Sequence, residues 1–148
     1  MSEKKNGPER AKHMLEVLRQ WQGLERQAMN DTSEIIEQTS NPLIQMVMSI
    51  IRHDSMMHHQ IQQFLVDSLT KQDVAVTREE IADIWDKLEA HDKVEKKTIE
   101  LATTLRDEAW NPVHKHLLDY LITDEQKHES LLAQLDELKT GMSRSSGA

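Results

Sequence analysis

The chain has 148 residues and a formal charge of -8, with no cysteine and 3% aromatic residues, and its pI is near 5.4. That length is enough for one continuous core, and the missing thiols exclude disulfides, zinc knuckles and thiol catalysis. An acidic balance with no basic cluster argues against nucleic acid or an anionic membrane as a partner, while a composition rich in Met, Leu, Ile, Glu and Gln is that of an all-α protein.

Residues 1–9 read as a disordered lead-in whose last break is Gly7-Pro8. The first helix then runs from about Glu9 into the thirties on the apolar line Met14, Leu18, Trp21, Ala28 and Ile35. Asn41-Pro42 punctuates the chain, and Pro42 suits the first turn of a second helix reaching about Leu69, with Ile44, Met48, Ile51, Leu65 and Leu69 on one line. After a short polar connector, Thr77-Arg78-Glu79-Glu80 is a capping box that opens a third helix. This helix carries Ile84, Leu88, Thr98, Ala102 and Leu105 and ends near Glu108. Asn111-Pro112 repeats the punctuation, and a fourth helix runs to about Lys139, with Gly141 as the expected stop. The expected organisation is a lead-in over 1–9, a four-helix bundle over 10–140 and a flexible tail over 141–148. No signal-peptide core and no membrane-spanning apolar run is visible, so the expected location is cytoplasmic and no membrane partner is expected.

The two Asn-Pro pairs lie 70 residues apart. The same shift places Met14 on Ile84, Leu18 on Leu88, Ile51 on Leu121, Asp54 on Asp124 and His58 on His128, the mark of a duplicated helical hairpin. Polar residues interrupt all four apolar lines at one comparable level. On the first and third helices the lines read Leu18, Trp21, Glu25, Ala28 and Leu88, His91, Glu95, Thr98. On the second and fourth they read Met48, Ile51, Ser55, His58, Gln62 and Leu118, Leu121, Glu125, His128, Leu132. Inward carboxylates and imidazoles at a matched level repel or neutralise one another unless a cation compensates them, so the pattern points to a metal site.

At this point the sequence resembles the ferritin-like superfamily of diiron carboxylate bundles, which includes rubrerythrin and bacterioferritin. Their pattern is a Glu from each of two helices and a Glu-x-x-His from each of the other two. Glu25, Glu95 and Glu125-x-x-His128 match it in order and spacing, as does His58. The resemblance implies Glu25, His58, Glu95, Glu125 and His128 as ligands of one or two ions of iron or manganese per chain, with ferroxidase or peroxidase chemistry. Its catalytic residues beyond these ligands are not specified.

Two departures qualify that expectation. The second helix has Ser55 where the pattern has a carboxylate, leaving five of the six usual ligands, with Asp54 and His91 as candidate substitutes and Asp54 and Asp124 also placed to support the histidines. A site degraded in this way leaves a second expectation, a structural or protein-interaction module. The other departure is the connector. Ferritin-like topology makes the second and third helices parallel, which requires a span of ~40 Å, whereas the residues from Thr70 to Arg78 reach only ~30 Å. Either the second helix ends early, the bundle is up-down-up-down, or two chains exchange hairpins, which makes a homodimer the expected assembly. His53 and His59 are expected at the surface, and Met46, Met48, Met56 and Met57 in a core or an interface.

Overall fold

Two short start signals and one capping box divide the chain into four long helices. The computed structural model describes residues 7–71 and 74–145, and all regular structure among them is helical: α1 (Gly7–Gln38), α2 (Pro42–Thr70), α3 (Arg78–Glu108) and α4 (Pro112–Ser145). The chain divides into two compact units, Met1–Val74 and Ala75–Ala148. The first is the α1–α2 hairpin and the second the α3–α4 hairpin.

The starts of α2, α3 and α4 have visible chemical causes. The Asn41 side-chain oxygen accepts from the backbone N–H groups of Leu43 and Ile44, at 2.9 and 3.2 Å, and so satisfies two donors that the first turn of α2 leaves open. Asn111 repeats the device at α4, accepting from Val113 at 2.8 Å. Thr77 caps α3 with both arms of the capping box: its hydroxyl accepts from Glu80 N–H, and the Glu80 carboxylate accepts from Thr77 N–H at 3.0 Å. Replacing Asn41 with Ala is expected to cost about 1 kcal/mol, read as a lower midpoint in urea unfolding at unchanged slope.

Two expected boundaries move. Gly7 and Pro8 lie in the first turn of α1, where proline's missing N–H has no helical partner to lose; residues 1–6 fall outside the described residues. At the other end α4 passes through Gly141 to Ser145, so Gly141 is not the stop and the expected tail from 141 is helical to 145. No glycine among the described residues adopts a positive φ, so no left-handed cap forms there, and a glycine inside a helix costs only about 1 kcal/mol relative to alanine. The second helix does not end early either; it reaches Thr70. Near that end the Asp67 carboxyl is held below its ordinary value by hydrogen bonds from the Gln63 amide and Lys71. The carboxyl is depressed, so its contribution is present above its ordinary pKa and is lost as pH falls through the lowered one.

The packing departs most from the apolar lines. In the α1–α2 hairpin the buried positions are Leu18, Gln22, Glu25 and Thr32 against Ser55, Gln62 and Val66. In the α3–α4 hairpin they are Ile81, Glu95 and Ala102 on α3. Trp21, expected on the buried line, is 49% exposed, and its neighbour Gln22 takes the seam position. Ile44, Ile51, Ile84 and Leu105 are exposed as well. Within a hairpin a helix meets its antiparallel partner along a narrow seam, so part of an apolar stripe over 100° wide lies outside that seam. Among the described residues no helix is long and apolar enough to cross a membrane.

Candidate metal centre

The seam of the α3–α4 hairpin brings its ionisable groups together. Glu95 projects from the middle of α3 and is buried, with its side chain 8% exposed. Its Oε1 lies 2.7 Å from His91 Nε2, one turn earlier on the same helix, and 3.2 Å from His128 Nδ1 across the hairpin. Glu125 precedes His128 by three residues, so α-helical geometry stacks the two on one face. Its Oε2 is 3.5 Å from the same Nδ1. Ligand atoms of Glu95, Glu125 and His128 all lie within 4.8 Å of one another, the one such group of three among the described residues.

Behind this cluster, Asp124 Oδ2 lies 3.7 Å from His128 Nε2. That separation is beyond hydrogen-bonding distance, so the acid acts on the far ring nitrogen through its charge. Towards the turn of the hairpin, Arg106 of α3 pairs with Asp119 of α4 and anchors the two helices in register.

These residues fit a metal ion. Bonds of about 2.1 Å from one ion place neighbouring ligand atoms roughly 3.0–3.4 Å apart, close to the 3.2 and 3.5 Å that separate His128 Nδ1 from the two carboxylates. The donor set of oxygens and imidazole suits iron, manganese or zinc more than a soft, thiophilic metal. Two carboxylates converging on one half-exposed imidazole have a charge surplus that a divalent cation neutralises.

The α1–α2 hairpin gathers its own, smaller group. His58 Nδ1 lies 3.5 Å from Glu25 Oε1; the carboxylate is largely buried and the imidazole 54% exposed. Ser55, on the same seam, is buried and brings no charge. The five expected ligands therefore appear as Glu95, Glu125 and His128 in one hairpin and Glu25 with His58 in the other. His59, expected at the surface, is half-buried beside α1: its Nε2 is 3.1 Å from Arg26 Nη1 in an exposed contact, and its carbonyl accepts from Gln22 Nε2 at 3.5 Å.

One seam residue went unread as such. Gln22 donates to Gln63 Oε1 at 3.0 Å and fills the position assigned to Trp21. Gln62 is 2% exposed, and neither its Nε2 nor its Oε1 meets a hydrogen-bonding protein group. Gln62 lies on the line where the sequence places it, seven residues after Ser55 and four after His58 on one face. Compared with protein-family models, with curated proteins and with solved structures, the chain matches none.

Proposed function

We propose that this chain is a metal-binding protein of ferritin-like type, with Glu95, Glu125 and His128 as its principal ligands for iron or manganese. The observation that carries the reading is the convergence of three ligand atoms from two helices on one point beside a buried carboxylate. The Glu-x-x-His spacing on α4 and the lone Glu on α3 support it, as does the matched Glu25–His58 pair in the other hairpin. Bound iron supplies redox chemistry toward dioxygen or peroxide. The chain's own part is to hold the ion on Glu95, Glu125 and His128, to set His128 beside the Asp124 charge, and to hold the Glu95 carboxylate through His91.

Metal analysis of protein purified without chelator, followed by aerobic ferrous titration watched by absorbance, tests the proposal. Wild-type protein is expected to retain iron or manganese and to develop a ferric band that Glu125→Ala lacks. A chain that emerges empty and takes up no ferrous iron overturns it. That result favours the second reading, an interaction module with a degenerate site, for which buried Ser55 and the exposed apolar residues of both hairpins are the supporting observations.

A further inference from the structure

We propose that α2 carries a separate metal site of different chemistry, in which His53, Met56 and Met57 hold one copper(I) ion. The site is independent of the carboxylate cluster described above. Its first support is spacing. His53 is the one histidine of the chain with methionine both three and four residues after it. In a helix those two positions lie one turn on and flank the residue they follow, and α2 is helical across all three. Long helical side chains lean back toward the N-terminus, over the turn that precedes their own, so both thioethers reach toward the His53 ring. One imidazole and two sulfurs thereby share one face of one helix, and no second element is needed to complete the set.

The second support is that nothing else in the hairpin employs these groups. Met56 and Met57 are 40% and 47% exposed, so neither fills the α1–α2 seam. His53 is exposed as well, and among the described residues no hydrogen bond or ion pair engages its ring. The neighbouring imidazoles differ on that point. His58 faces the Glu25 carboxylate, and the Nε2 of His59 lies against the Arg26 guanidinium, a cation that repels a metal ion. The donor set decides the metal: thioethers are soft and select copper(I), whereas manganese is served by carboxylate oxygens. With no cysteine in the chain, no thiolate competes for that ion.

Anaerobic titration of the full chain into the coloured copper(I)–ferrozine complex tests the proposal, since the colour fades as the protein takes the ion. The expected result is uptake of one copper(I) per chain. Met56→Leu and Met57→Leu, which remove the sulfur and keep the bulk, are each expected to weaken uptake by at least about tenfold, the loss that even a partner outside the ligand set can cause. His53→Gln is expected to do the same, while His58→Gln, His59→Gln and Glu125→Gln leave it unchanged. Helical circular dichroism is expected to be equal in all of them, because leucine and glutamine favour helix. No uptake by the wild-type chain, uptake that survives Met56→Leu and Met57→Leu together, or uptake lost with His58 or His59 overturns the proposal. Each of these outcomes leaves the carboxylate reading untouched.

Discussion

Replacing Glu95 with Ala is expected to abolish metal retention and, with it, any stabilisation by added metal. Glu95 is the only one of the three clustered side chains that is buried, and both His91 and His128 direct a ring nitrogen at its Oε1. An ion present at a hundred times its dissociation constant stabilises the folded chain by about 2.7 kcal/mol, or about 5–10 °C in melting temperature for a chain of this size. Wild-type protein is expected to show that shift on addition of Mn(II), and Glu95→Ala none. Glu95→Gln keeps the shape and removes the charge, so it is expected to behave as Glu95→Ala does. In chelator the three proteins are expected to melt close together, because the variants lose a buried charge along with its two imidazole contacts. An unchanged wild-type melting temperature on metal addition, across a wide concentration range, defeats the expectation.

Gln62→Leu is expected to raise stability by about 2 kcal/mol, which is about 4–8 °C. A buried amide without partners keeps its full desolvation cost, and leucine of similar volume removes that cost while filling the same space. The residue seventy positions on is Leu132, an apolar side chain in α4. Gln22→Leu is the control of opposite sign. Gln22 is also buried but donates to Gln63 and to the His59 carbonyl, so its replacement gives up both hydrogen bonds and is expected to destabilise. Equal effects from the two substitutions, measured by thermal and urea unfolding, would show that the Gln62 amide is satisfied in solution.

Helix starts were the most legible feature because their causes are local. Asn41-Pro42, Thr77 with Glu80, and Asn111-Pro112 each satisfy open backbone donors within three residues, and each marks a helix in the structure. Gly141 misled because a single glycine is a weak stop when the flanking residues favour helix. The grouping of Glu95 with Glu125 and His128 could be read from spacing, since residues three and four apart share a face whatever the partner. Trp21 and Gln22 could not. Which of two adjacent residues enters a narrow seam depends on the rotation of the whole helix against its partner, set by pairs such as Glu25–His58 and Gln22–Gln63. An apolar stripe wider than the seam leaves that rotation open, and a large indole then stays outside while an amide goes in.

The hairpin turns at Asn41 and Asn111 also bear on how fast the ligands meet. Glu95 and His128 are 33 residues apart in sequence, and every contact that brings them together belongs to two helices joined by a short capped turn. Topologies dominated by such near neighbours in sequence fold in microseconds to milliseconds, because little loop entropy is lost before contacts form. The cluster is therefore expected to assemble early and without help from the rest of the chain.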